Sequence, residues 1–514
     1  MERISLTLTP EQYHLADELR LAVAKHLHVA PTQIEHIQVV RRSLDSRRGV
    51  KYQATLEVYR RGENYQPESF EGTYQDCSAC PPVVIVGAGP AGLFAALKCL
   101  ESGLKPIILE RGKPVEERKR DIALLGRTGE VNPHSNWCFG EGGAGTFSDG
   151  KLYTRSTKRG DVGEVLRHFV EHGADPSILI DAHAHIGTDR LSPIIARMRE
   201  TIIKYGGEVH FGEQVVDLIR DGHEVVGVTT HSGQAFRGIA VILATGHSAR
   251  DIYELFASRG WLLEAKPFAL GVRVEHPQEL INSIQYHSPH YSKLLPPAAY
   301  SLTTQACGHG VFSFCMCPGG CIVPAATAPG QQVVNGMSNS QRNSPFANSG
   351  IAVTVAPEEV PEYAVHGPLA LLRFQQAVES QMFQACQGAA PTQRLVDFLR
   401  AKPSSRLNRT NYLGRTQSAP LHELLPPFVV RALQQGFRDF DRKMRGFITD
   451  EASLLAVESR TSSPVRIPRD ADYQHPQLRR LYPCGEGAGY AGGIVSSALD
   501  GINIVRQIAA TQKQ

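Results

Sequence analysis

Val83-Val84-Ile85-Val86-Gly87-Ala88-Gly89-Pro90-Ala91-Gly92-Leu93-Phe94-Ala95-Ala96-Leu97-Lys98-Cys99-Leu100 is the stretch on which the fold turns. A short apolar run, a glycine turn and an apolar helix read as strand, turn and helix, the opening of a Rossmann-type βαβ unit. Gly87 allows the tight turn, Gly89 lets the backbone approach a pyrophosphate, and Gly92 lets the helix pack closely on the strand. The helix N-terminus offers free N–H groups and about half a positive charge to phosphates. Gly87, Gly89, Pro90, Ala91 and Gly92 are therefore candidate cofactor contacts. Gly103 closes the helix, Pro106–Leu109 follows as a second strand, and Glu110 stands 18 residues beyond Gly92. A carboxylate there accepts ribose hydroxyls and disfavours a 2′-phosphate. Four breakers (Gly87, Gly89, Pro90, Gly92) and Lys98 argue against a membrane span for the same stretch.

Upstream, Ile4–Leu8 reads as a strand, Pro10–Leu27 as one amphipathic helix, and Ile34–Val40 and Tyr52–Tyr59 as strands. This small α+β module is bounded at residues 1–75. Pro67, Gly72, Pro81 and Pro82 mark a linker ending at 76–82. Downstream, the dinucleotide-binding domain is expected over 83–260, with a run of short strands between Glu208 and Ala244. Residues 261–450 read as an inserted α+β substrate domain, strand-rich to 350 and helical from Pro368 to Phe440, and 451–514 as the return to the first domain. The expected class is α/β, a parallel sheet with a β-meander insert.

The glycine turn alone fits NAD and FAD equally. Distant segments break the tie. Gly140-Glu141-Gly142-Gly143-Ala144-Gly145-Thr146-Phe147-Ser148-Asp149-Gly150-Lys151 is a second glycine-rich loop able to set amides against a flat ring. Leu481-Tyr482-Pro483-Cys484-Gly485-Glu486 is a third, followed by Gly487, Gly489, Gly492 and Gly493 at the start of a helix.

Together these motifs resemble the FAD-dependent oxidoreductases of the glutathione-reductase type, second subgroup. The resemblance implies that Glu110, followed by Arg111, binds the adenosine ribose and that Glu486 contacts ribityl or pyrophosphate. It further implies that Val215 or Val216 meets adenine, and that Ala244-Thr245-Gly246 is the third conserved stretch. Gly143, Gly145, Thr146, Lys151, Gly485, Gly493 and Ile494 complete the implied cofactor set, the last helix aiming its positive end at the flavin's pyrimidine edge. His185-Ile186-Gly187-Thr188-Asp189, Phe314-Cys315-Met316-Cys317-Pro318-Gly319-Gly320, Asn335-Gly336-Met337-Ser338 and the Tyr482–Gly493 stretch narrow it further. They resemble uncharacterised bacterial FAD-dependent dehydrogenases with an N-terminal α+β module. Cys321 departs from that group, which has an acidic residue there.

Cys315, Cys317 and Cys321 lie within seven residues. Two thiols near a flavin relay electrons as a dithiol/disulfide or set one thiolate against the ring; the same thiols equally line or pack a pocket, or, with a fourth ligand, hold zinc. Cys77 and Cys80 lack the strand-to-helix context of a redox pair. Arg342, Arg460 and Arg466 are candidate clamps for an anionic substrate, and Lys151 for reduced flavin, against structural ion-pair roles for each. His183 and His185 lack a matching ligand cluster, so no metal is expected.

Composition bounds the rest. With 42% apolar and 20% charged residues and a net charge of +3 over 514 residues, the chain reads as an ordinary globular protein of several domains. Residues 1–75 carry ten basic and ten acidic residues, so nucleic acid is not the expected partner, though Arg41, Arg42, Arg47 and Arg48 could form a local patch. The N-terminus shows no secretory signal and the cysteines are dilute, which points to a cytoplasmic protein without a membrane partner. The expectation is an oxidoreductase using FAD on a small-molecule substrate, with NADPH or NADH as a transient donor left open because no second GxGxxG unit is visible. The alternatives are a flavin-bearing redox-sensing or binding module and a flavin enzyme acting on RNA. The first is distinguished by a collapsed, rather than open, chamber between residues 262 and 440.

Overall fold

In the computed structural model, which describes residues 1–47, 49–67, 69–153 and 160–512, strand Pro82–Val86 lies at the centre of a parallel sheet. Its four residues Val83–Val86 are buried because both faces are covered, one by helices Pro90–Glu101 and Ile494–Gln512 and the other by an antiparallel meander with helix Arg250–Ser258, the condition that makes parallel strands read as continuous apolar runs. The sheet order is Leu481–Pro483, Ala240–Leu243, Pro82–Val86, Lys105–Glu110, Glu208–Phe211, every neighbouring pair parallel. Helices Pro90–Glu101 and Ile494–Gln512 pack so closely that a Cβ on Gly501 would stand 2.2 Å from the Ala91 carbonyl oxygen. The antiparallel meander Val215–Asp221, Glu224–Thr230, Ala235–Arg237 leads back into Ala240–Leu243.

The N-terminal module is a three-stranded antiparallel sheet, Glu2–Leu8, Lys51–Arg60 and Ile34–Asp45 in spatial order. Its single expected helix is two, Pro10–His14 and Ala16–Leu27, broken at Leu15, which takes extended angles (φ −98°, ψ 117°) and is 48% exposed. Leu15 therefore leaves the apolar stripe, which Val23 and Ala24 carry onto the sheet. Two of the four patch arginines are spent on ion pairs: Arg42 clasps Asp181 and Arg47 pairs with Asp45 at 2.7 Å. Arg48 lies outside the described residues.

The inserted domain centres on a seven-stranded sheet, Thr303–Ala306, His309–Cys317, Phe346–Val355, Phe268–Pro277, Ser453–Glu458, Ala390–Arg394, Thr416–Ser418. Helices Ala370–Cys386 and Pro427–Lys443 supply apolar residues to its core. One boundary moves. Ser453–Glu458, assigned above to the return segment, is an interior strand of this sheet, buried at all six positions. A strand buried on both faces carries no alternation to say which sheet it joins. The chain rejoins the first domain later, at Leu481–Pro483.

Glu275, on strand Phe268–Pro277, is 1% exposed and accepts the Asn411 N–H at 3.1 Å, and among the described residues no cation pairs with it. Burial pushes its carboxyl up to about 7. A folded value above the unfolded one stabilises fully below the ordinary carboxylate range and loses that contribution as pH rises through about 7. Glu275→Gln should therefore raise the melting temperature relative to the parent at pH 8 and give no gain at pH 5. Equal differences at both pH values would refute this.

Among the described residues no helix is long and apolar enough to cross a membrane.

Candidate cofactor and thiol site

The carboxyl ends of the parallel strands open into a cleft of about 350 Å3, where open α/β sheets bind ligands. At one end stand Leu109, Glu110, Arg111, Glu213 and Val215. The Glu110 carboxylate accepts backbone N–H bonds from Ala88 (2.9 Å), Gly112 (2.9 Å) and Gly140 (3.0 Å). Three of its roughly four acceptor positions are thus taken, which fixes its orientation and leaves about one for a ligand. Arg111 pairs with Asp251 at 2.5 Å and lies 4.3 Å from the Phe139 ring centroid. Val216, expected beside Val215, does not line the cleft. It is 41% exposed, because successive strand side chains point to opposite faces.

At the middle, three glycine-rich segments meet. A Cβ on Gly143 would lie 3.1 Å from the Gly89 Cα, one on Gly145 3.0 Å from Ile494, and one on Gly485 3.0 Å from the Ala91 Cβ. Gly87 (φ 108°) makes the turn, and Gly87, Gly89, Pro90, Ala91, Gly143, Gly145, Ala244, Thr245, Gly246, Glu486, Gly493 and Ile494 all line the cleft. Gly92, Thr146 and Gly485 lie behind this lining. Gly92 exists for packing, since a Cβ would stand 1.9 Å from the Gly87 oxygen. Thr146 donates to the Glu141 carbonyl and accepts from Arg118. Gly485 donates its N–H to Asp500 at 2.7 Å. Burial pushes the Glu486 carboxyl up to about 7 despite Lys266.

At the far end the inserted sheet supplies Phe314, Cys315 and Asn335, opposite Lys151 and the half-exposed Tyr153. Lys151 donates to the Met316 carbonyl and lies 3.7 Å from Asp149. Arg342 is withdrawn from the cleft by a two-pronged contact with buried Asp149 (3.2 and 2.7 Å). The clamp expected at Arg460 is also occupied: its guanidinium donates to Glu379, Ser248, Thr327 and Gln331. Arg466 approaches Glu264 at 3.6 Å. Glu379 is pushed up by burial but pulled down to about 2 by Arg250 and Arg460. His247, lining the cleft beside them, is driven down to about 4 by burial and these two guanidiniums, so its imidazole is neutral at pH 7. Of this network the sequence singled out Arg460 alone; His247, Arg250 and Glu379 belong to no motif of their own.

Cys315 lines the cleft, whereas Cys317 is fully buried behind it. Their sulfurs are 4.0 Å apart and no disulfide joins them. A hydrogen bond from Cys317, and after it Lys151 and Arg273, lower the Cys315 thiol well below its ordinary range against the cost of burial. Donation to Cys315 and burial raise Cys317. Cys321 stands apart, its thiol pushed up to about 12 by burial. Among the described residues the three sulfurs do not gather within 4.8 Å of one another. His185 contacts the Ser340 carbonyl and His183 packs on Tyr153. Cys77 is buried, its thiol raised to about 12 by burial.

Iodoacetamide should alkylate Cys315 at pH 6, where ordinary thiols are nearly inert. Cys317→Ala and Lys151→Met should each move the midpoint of its rate–pH profile up by about one unit or more. Peptide mapping reads both, and unshifted midpoints would show that these neighbours do not govern the thiol.

Residues 267–461 match the family described as FAD-dependent protein, C-terminal domain-like, residues 82–118 an FAD binding domain, and residues 1–59 a domain of unknown function. An uncharacterized protein of Clostridium beijerinckii is 38% identical over 514 residues, covering 95% of each chain. Among solved structures, the flavin-dependent brominase Bmp2 is 14% identical over 84% of this chain and 79% of that one, with TM-score 0.36. A geranylgeranyl bacteriochlorophyll reductase-like protein from Thermoplasma acidophilum is 12% identical, covering 84% and 79%, also with TM-score 0.36. At such scores the overlap says nothing about this chain's chemistry.

Proposed function

This chain belongs to the protein family of its Clostridium beijerinckii relative and is an FAD-dependent enzyme, and from that premise we propose a dehydrogenase or reductase acting on a small molecule. The residues lining the cleft would hold one FAD non-covalently, with the inserted sheet facing the substrate. When bound, FAD supplies two-electron chemistry by accepting or releasing a hydride at its ring. The chain's own residues bind and orient. Glu110, held by three backbone amides, offers its remaining acceptor position to the adenosine ribose, with Arg111 and Val215 bordering the base. The first turn of helix Pro90–Glu101 turns free N–H groups on the pyrophosphate. The raised carboxyl of Glu486 lessens its repulsion of a phosphate. Gly493 and Ile494, at the start of helix Ile494–Gln512, and Lys151 bring positive potential to the ring end.

The observation that carries this reading is the meeting of three remote glycine segments across one cleft. A single dinucleotide fold interrupted by an inserted sheet supports the second subgroup of the glutathione-reductase type, and ten free thiols support a reducing, cytoplasmic setting. The test is spectral. Purified protein should carry a flavin band that bleaches anaerobically with NADPH, NADH or one member of a panel of small oxidisable substrates. Failure with both nicotinamides removes the reductase version. A colourless protein that takes up no added FAD removes the reading.

A further inference from the structure

We propose that Cys315 and Cys317 form a redox dithiol that exchanges with a small disulfide entering the cleft, which makes thiol–disulfide compounds the second substrate class of the FAD-dependent reading on which this inference rests. The geometry is not that of two cysteines merely packed in a strand. Residues two apart in a regular strand share a face but sit roughly 6.8 Å apart along it. Here the pairing of His309–Cys317 with Phe346–Val355 shifts register between Phe314 and Cys317, and Cys315 takes φ 45°, a region disfavoured for any residue with a side chain. Bulge and turned backbone together bring the sulfurs to 4.0 Å. Bulges and positive-φ residues cluster where a side chain must be re-aimed.

The surroundings divide the labour between the two thiols. Cys315 faces the cleft and its sulfur is the more acidic; Cys317 is sealed behind it, its thiol 3.2 Å from the Cys315 carbonyl oxygen and 4.0 Å from the Cys315 sulfur. Arg273, itself fully buried, donates to the Cys315 carbonyl and lies 3.6 Å from the Cys317 sulfur. Gly336 leaves the space it occupies, since a Cβ there would stand 2.2 Å from the Arg273 Nη2. Gly319 (φ 48°) lets the chain pass against Arg342, whose hold on Asp149 sets that carboxylate beside Lys151. An exposed attacking thiolate with a protected resolving thiol is the arrangement exchange requires.

The step balances as follows. The Cys315 thiolate attacks one sulfur of the disulfide RSSR, forming a Cys315–SR bond and releasing RS⁻. That thiolate takes the Cys317 proton. The Cys317 sulfur then displaces the second RS⁻ and closes the Cys315–Cys317 bond. Two electrons and one proton, supplied through the flavin by a hydride donor of the nicotinamide class, restore one thiolate and one thiol.

The test treats reduced holoprotein, free of added thiol, with 2-hydroxyethyl disulfide. In the parent, Cys315 and Cys317 should be recovered joined by peptide mapping. Cys317→Ser should stop with hydroxyethanethiol attached to Cys315, and Cys315→Ser should acquire neither mark. Anaerobic titration of the oxidised parent should then consume two electrons per chain more than Cys315→Ser does. If both thiols of the parent stay alkylatable after treatment, or parent and Cys315→Ser take up equal electrons, the proposal is wrong. A colourless protein that still closes the Cys315–Cys317 bond would overturn the FAD reading while upholding thiol exchange, so the two failures are separable.

Discussion

Gly89→Val should yield a protein that folds, melts cooperatively and emerges from purification without flavin. Gly89 has φ −78° and ψ −175°, extended angles that any residue adopts, so a β-branched side chain meets no backbone strain. Its Cβ would reach only 3.9 Å from the Gly143 Cα, an ordinary contact. The two methyl groups beyond it have nowhere to go but the cleft, over the free N–H groups of helix Pro90–Glu101. A loss of about 3 kcal/mol or more in cofactor binding, at least a hundredfold in Kd, is expected. Flavin-to-protein absorbance and titration with added FAD measure it. Gly92→Ala is the contrasting case: its Cβ would stand 1.9 Å from the Gly87 oxygen, so stability falls along with binding. A Gly89→Val protein retaining stoichiometric FAD would mean that the pyrophosphate does not cross this turn.

Arg273→Met carries the other large effect, on stability. Arg273 and Glu458 are both fully buried, and the guanidinium also donates to Asn348 and to the Cys315 carbonyl. Burial already pushes Glu458 up to about 7 with the cation present, and its Oε1 has no hydrogen-bond partner among the described residues. Removing the arginine strands that carboxylate, and breaking a buried pair in this way costs about 3–5 kcal/mol. The carboxyl can escape by taking a proton. Its folded value then stands further above the unfolded one, so stability present at low pH is lost as pH rises, and the deficit should be larger at pH 8 than at pH 6. Arg273→Met combined with Glu458→Leu should recover most of the loss, as apolar replacement of buried pairs does. Urea unfolding at the two pH values measures all three proteins. A pH-independent deficit would show that Glu458 is not the group left stranded.

The two predictions sit on different sides of what a linear reading could reach. Gly87, Gly89 and Gly92 were legible because each does local work: a positive φ, a close approach, and a helix resting on its own strand, all within six residues. The second and third glycine segments were legible as glycine-rich turns, and their convergence followed from resemblance. Val215 and Val216 could not be told apart, since that needs the strand's register against the cleft. The resemblance implied Thr146 as a cofactor contact; its hydroxyl is taken by Arg118 and the Glu141 carbonyl, which only the fold brings to it.

Arg342 and Arg460 show the same limit for charge. A guanidinium is free to clamp a substrate only if no carboxylate reaches it first, and Asp149 and Glu379 come from segments far away in the chain. Ser453–Glu458 was assigned to the wrong sheet because a strand buried on both faces carries no directional pattern. By itself, then, the sequence determined the βαβ turn, the carboxylate at Glu110 and the adjacency of two thiols, since each is written in neighbouring residues and local backbone geometry. Only the tertiary structure decided which arginines are spent, which thiol faces the cleft and which is the acid, because burial and ion pairing depend on what distant segments bring within a few ångströms.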